Sequence, residues 1–216
     1  MRIRNLEQLE KSMVSDLTWR RRELTTLKFM IQENSAVHKK NILHRAAIAL
    51  LYSHWEGHVK HCSLVYLSYL NSLGLHCDQI ADNFIQLNLS SYFDVNLSMK
   101  STKNQKAIHD YFSRLSDVTF KVVENKTIDT KSNLNSEVLL NILSQLGLPS
   151  NEFELKSTLI DTVLLKNRNA VVHGEMLNAD GLRNTYNEIE DDLLYLIETF
   201  HNLVNSAAAN GLYLKQ

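Results

Sequence analysis

"NILHRAAIALLYSHWEGHVKHCSLVYLSYLNS" occupies residues 41–72. Ala47, Leu50, Leu51, Val59, Leu64 and Leu67 return at the spacing that lines one side of an α-helix. No Pro interrupts the stretch, and Gly74 stands just beyond it as a C-terminal stop. This is the strongest helix signal in the chain, and its broad apolar face calls for other helices to cover it.

The flanks supply those helices. Residues 3–33 read as one long helix, or as two with a break near Ser15–Asp16, where Asp16 caps a helix starting at Leu17. The polar run "ENSAVHKKN" (33–41) reads as a connection. Toward the C-terminus, Ser136–Leu146 reads as a helix ended by Gly147 and Pro149, Phe153–His173 as a second, and Asp180–Asn205 as a third. Residues 75–135 are less regular and compatible with helix, loop or a small hairpin, or with folding on a partner. Within them, Val118–Ser132 has strand-like alternation. The expectation is an all-α helical bundle, a single domain over residues 1–216, with 75–135 as an irregular insertion that has room for a short β element.

Composition agrees. One Pro and six Gly in 216 residues favour long helices, and 44% apolar with 22% charged residues is ordinary for a globular chain. The net charge of −1 gives no bulk attraction for nucleic acid. Basic residues outnumber acidic ones in residues 1–60, however, and acidic ones dominate after Asn178, which permits a local basic surface. Cys62 and Cys77 form neither a metal-binding spacing nor a disulfide framework, so a reducing cytoplasm is expected. The opening "MRIRNLEQLEKSM" has no apolar signal-peptide core, and "AAIALLY" (46–52) is too short to cross a bilayer, so no membrane role is expected.

The stretch "LLKNRNAVVHGEML" (164–177) carries chemistry at a helix end. Asn169 and His173 are four apart and share a face, Arg168 lies next round, and Gly174 can end the helix. Spacing alone is met as well by a solvated helix end, with Arg168 in water and His173 capping the last carbonyls.

The segment "KNRNAVVHGE" resembles the signature of the HEPN superfamily: an Arg, a polar residue, and a His a few residues on, near the end of a late bundle helix. "LLYSHWEGHVK" (50–60) is similar to the Y-x-x-W-E-G helix of stand-alone bacterial HEPN proteins from defence islands, and "WRRRE" (19–23) sits in an N-terminal helix like theirs. The resemblance implies a metal-independent endoribonuclease, a toxin or anti-phage effector, working as a homodimer with a composite cleft. Its partners would be RNA and an antitoxin or defence protein. Arg168 and His173 would be catalytic, Asn169 would assist, and Lys166 and Glu56 would help hold substrate. A histidine moves protons near neutral pH, and a guanidinium binds two phosphate oxygens at once. The products would be a 2′,3′-cyclic phosphate and a 5′-hydroxyl. Position 175 is Glu, where some HEPN toxins carry a modifiable Tyr. The alternative is a non-catalytic HEPN-like module that binds RNA or a partner protein.

Other features point elsewhere. His54, His58 and His61 line one helix face without an evident further ligand, so they read as surface histidines, and neither metal nor cofactor is expected. Glu56 reads equally as a residue orienting Arg168 or His173 and as an ion-pair partner of Lys60. Arg20, Arg21 and Arg22 span most of a helix circumference, so only one or two can track an RNA backbone. Trp19 and Trp55 read as core or dimer contacts. Phosphate-binding glycine loops and a serine-hydrolase elbow are missing.

Overall fold

A computed structural model describes residues 3–92, 100–131, 133–175 and 178–215. The frame is three long helices: α1 (Leu6–Glu33), α2 (Val37–Leu73) and α9 (Ala179–Ala209). α1 starts where the Asn5 side chain accepts from the Gln8 N–H, and it runs without a break. Its inner stripe is Leu9, Met13, Asp16, Arg20, Leu24, Leu27 and Ile31, a three-and-four repeat that includes two charges. α2 returns after a connection of only 34–36 and ends at Gly74. α9 buries Leu182, Tyr186, Ile189, Leu193, Leu196, Phe200 and Val204 against α2. α2 is therefore the central helix, with Trp55, Tyr52 and Tyr66 sealed in one hydrophobic cluster.

Of the two readings of residues 3–33, the single unbroken helix holds, and Asp16 is not a cap. It is buried inside α1, where Arg20 donates to it twice (2.7 and 3.1 Å), the Trp19 indole donates at 3.2 Å, and His58 Nδ1 lies 2.7 Å away. A buried carboxylate is tolerable only with such partners. Arg20 lies flat against α2 at Gly57, where any Cβ would meet its guanidinium nitrogens at 2.7 and 2.9 Å. The mid-helix glycine of the "WEG" motif is thus explained by close approach. The expected surface histidines are also corrected: His54 and His58 are buried in this network, with His54 Nε2 2.8 Å from Glu23. Of the three arginines, Arg20 is buried and Arg21 pairs with Glu198, while Arg22 remains exposed. Trp55 belongs to the core, whereas Trp19 is half exposed beside His54.

The insertion is largely helical: α3 (Asp82–Tyr92), α4 (Thr102–Ser113) and the short α5 (Glu124–Thr127). The expected alternation is real, since Phe120 and Val122 are buried while Thr119 and Lys121 face out. No strand forms among the described residues, however. His76 and Thr119 make one isolated bridge, and the Asn71 side chain takes both backbone groups of Val122 (2.9 and 3.0 Å). A side-chain amide satisfies the backbone where a neighbouring strand otherwise would. Residues 93–99 of this region lie outside the described residues.

α6 (Ser136–Leu146) follows as expected from sequence. The single helix expected over 153–173 is instead α7 (Asn151–Leu155), a turn at Lys156, a π-helical segment (Leu159–Leu165) and α8 (Lys166–Val172). Two tertiary residue pairs accompany the break: Lys156 Nζ sits 2.8 Å from both Asp192 oxygens, and Asp161 accepts from the Ser136 N–H and hydroxyl at the start of α6. Wide turns of this kind recur at functional sites.

Candidate active site

α8 packs on α2 and ends in a tight capping turn. The His173 N–H bonds the Asn169 carbonyl (2.9 Å), Gly174 bonds Val171 (3.2 Å) and Glu175 reaches back to Ala170 (2.9 Å). Gly174 has φ 76°, the left-handed conformation that this closure needs. Arg45 of α2 clamps the turn from outside: Nη1 donates to the Glu175 carbonyl (2.8 Å), and Nη2 to that of Val171 (3.4 Å). His173 is thereby held at an exposed corner.

Arg168 is held by three groups. Its Nη1 donates to Asn169 Oδ1 (2.8 Å) and Asn133 Oδ1 (3.0 Å), and its guanidinium carbon lies 4.7 Å from the centre of the Tyr52 ring. Such a cation over an aromatic face is attracted and oriented. Both hydrogen bonds use Nη1, and Nη2 and Nε donate to no acceptor among the described residues. Tyr52 is itself fixed, its oxygen accepting from the Leu134 N–H at 2.5 Å. Burial, then the charge of Glu56, pushes the phenol above its ordinary pKa, while Arg168 pulls the other way. Glu56 is half-buried one turn along α2 from Tyr52, close enough for its charge to raise the Tyr52 pKa. The pairing with Lys60, one of the two readings of Glu56, is not among the ion pairs of the described residues.

The remaining site residues gather on the other side of α8. Lys166 is exposed and lines a surface cavity of about 430 Å³ with Asn169 and Glu175. Helical rotation places Lys166, Asn169 and His173 within roughly 60° of one another, and Arg168 about 140° from His173. Asn169 joins the two sides, since its oxygen holds Arg168 while the residue lines the cavity. Arg168 and Asn169 are therefore brought together, as are Lys166 and Asn169. Arg168 and His173 thus start from opposite sides of the helix end.

Three contributors escaped the sequence reading. Arg45 and Tyr52 lie on one stripe of α2 with Glu56, at spacings of seven and four, a signal that the apolar residues around it mask. Asn133 had none, because it reaches Arg168 from the irregular insertion. Met176 and Leu177, the end of the motif segment, lie outside the described residues.

Residues 15–206 match the family model described as RiboL-PSP-HEPN. The chain belongs to that family. The match takes in α2, most of α1 and α9, the insertion and the Arg168–His173 segment, so the expected HEPN membership and all-α bundle stand for most of the chain. The family points to a nuclease-type or RNA-related role for this HEPN protein. No curated protein and no solved structure matches it. No described helix of this HEPN chain is long and apolar enough to cross a membrane.

Proposed function

We propose that this HEPN protein is a metal-independent endoribonuclease, a single domain over residues 1–216, that acts in the cytoplasm as a homodimer. The observation that carries the reading is the held Arg168, fixed by Tyr52, Asn133 and Asn169 with donors to spare, five residues before a His173 set on a clamped, exposed turn. A neutral His173 takes the proton of an RNA 2′-hydroxyl, and the oxygen attacks the adjacent phosphorus. Arg168 binds the charge that builds on the phosphorane oxygens. The protonated His173 of the second copy gives its proton to the departing 5′-oxygen. Cyclic phosphate and 5′-hydroxyl ends result, and DNA, which lacks the attacking group, is spared. Two copies also account for the divergence of Arg168 and His173 within one chain: each chain brings its histidine to the other's arginine. Asn169 positions Arg168, Lys166 draws in the backbone, and Glu56 acts through Tyr52. A toxin or anti-phage effector, restrained by an antitoxin or a defence partner, is the setting this chemistry suits.

One observation favours the non-catalytic alternative. Glu175 lines the same cavity as Lys166 and Asn169, and its charge opposes phosphate entry there.

The test compares wild type with His173→Ala at equal oligomer mass, on a mixed RNA pool without added divalent ions and with EDTA. New cyclic-phosphate ends from wild type alone are expected. Intact RNA at high wild-type concentration, or equal cleavage by the variant, overturns the reading.

A further inference from the structure

We propose that His58, Cys62 and His201 form a buried site for a soft d¹⁰ metal ion, Cu⁺ or Zn²⁺, at the centre of the three-helix frame. His58 and Cys62 lie one turn apart on α2, with Nε2 3.3 Å from Sγ, and His201 joins them from α9. One donor atom from each lies within 4.8 Å of the others. Imidazole nitrogen and thiolate sulfur are the donors that such ions take.

Two further observations point to an occupant. His58 Nδ1 is engaged by the Asp16 carboxylate at 2.7 Å, and Arg20 and Trp19 hold that carboxylate in place. A proton on Nδ1 leaves the Nε2 lone pair directed toward Cys62. A carboxylate behind the imidazole is the arrangement that orients metal-binding histidines. His201 is 8% exposed, and its Nδ1 has no hydrogen-bond partner among the described residues. A thiol–imidazole contact satisfies His58 and Cys62 but leaves that nitrogen orphaned; a metal bond satisfies all three.

Geometry and charge define the ion. Bond lengths of about 2.3 Å to sulfur and 2.0–2.1 Å to nitrogen bring ligand atoms to roughly 3.5 Å apart, so binding draws His201 inward. A Cys62 thiolate and Asp16 supply two negative charges and Arg20 one positive, so Cu⁺ closes the balance, whereas Zn²⁺ leaves an uncompensated buried charge. Three ligands also suit Cu⁺ better than Zn²⁺, which takes four. His58 and Cys62 are fully buried, so the ion has no access to RNA and acts as a clamp between α2 and α9. On α2, His58 is roughly 120–160° around from the Arg45–Tyr52–Glu56 stripe. The site is thus separate from the RNA chemistry. The sequence reading grouped His58 with His54 and His61 along one helix; the fold replaces those two with Cys62 and a residue far along the chain.

The test uses the full chain, purified reduced, untagged and without chelator. It is loaded separately with Cu⁺ and Zn²⁺, desalted and analysed for metal, with Co²⁺ as the spectroscopic stand-in for Zn²⁺. One ion per chain, a thiolate–cobalt charge-transfer band and a raised Tm are expected. Cys62→Ala and His201→Gln, with helicity checked by circular dichroism, should lose the ion, while His61→Gln and Cys77→Ser keep it. The wild-type thiolate band needs no variant to fold, and Cys77→Ser assigns it to Cys62. Folded wild type that retains neither ion overturns the site, as does retention that survives both Cys62→Ala and His201→Gln. Retention of Zn²⁺ alone upholds the site and overturns the charge argument. None of these outcomes depends on RNA cleavage.

Discussion

Arg45→Met keeps the apolar stem of the side chain and removes the two donors that α2 extends to the end of α8. The 2.8 Å bond to the Glu175 carbonyl is the stronger, and the 3.4 Å bond to Val171 contributes little. Glu175 is exposed, so its carbonyl regains water when Arg45 is gone. The net loss of stability is therefore about 1 kcal/mol, the ordinary value for one hydrogen bond. Against a domain stability of about 5–15 kcal/mol, essentially all of the variant stays folded. Activity should respond far more. His173 sits on the turn that Arg45 clamps, and a displacement of roughly an ångström costs up to about a hundredfold in rate. The expectation is a ten- to hundredfold fall in RNA cleavage, by about that same reasoning, with a small shift in the urea midpoint. Cleavage within about twofold of wild type would refute the clamp. So would a loss of more than about 3 kcal/mol, since the fall in rate would then be one of folding.

Asp16→Asn leaves Arg20 and His58 buried without their anion and should cost about 3–5 kcal/mol by urea denaturation; a loss below about 1 would mean that water replaces the carboxylate. Burial alone raises the Asp16 pKa, but the bonds from His58 and Arg20 outweigh it and hold the carboxyl well below its ordinary range. Its contribution is therefore complete above its unfolded value of 3.8 and lost as pH falls further, an acid-side slope that Asp16→Asn should flatten. Gly57→Ala should destabilise despite a helix-propensity gain of about 1 kcal/mol, because the new methyl displaces the Arg20 guanidinium; a higher Tm would show that Arg20 moves freely. Burial lowers the pKa of His44, so the unfolded chain binds a proton first. Stability should fall as pH drops below 6.5, less so in His44→Gln, as measured by urea midpoints across pH.

Local regularity made much of this legible. α2, α6 and α9 follow from apolar spacing and end signals, because a long amphipathic helix is encoded by its own residues. Arg168, Asn169 and His173 were legible as a group for the same reason, being neighbours on one helix. The interrupted 153–173 segment was not, since its break goes with Asp192 and Ser136, residues distant in sequence. Nor was the buried role of Asp16, which reads as a helix cap until His58 and Arg20 surround it. The alternation of 118–122 showed which side chains turn inward but not that Asn71, rather than a strand, would meet the backbone.

The amino-acid sequence alone determined the helical class, the extent of α2 and α9 and the grouping of Arg168, Asn169 and His173 at one helix end, all of which depend on contacts within a few residues. Tertiary structure alone decided that Arg45 clamps the turn, that Tyr52 and Asn133 hold Arg168, and that His58 and Cys62 meet His201. Those contacts join residues 35 to 143 positions apart. The spacing rules of a single helix hold no information at that range; burial and packing between helices supply it.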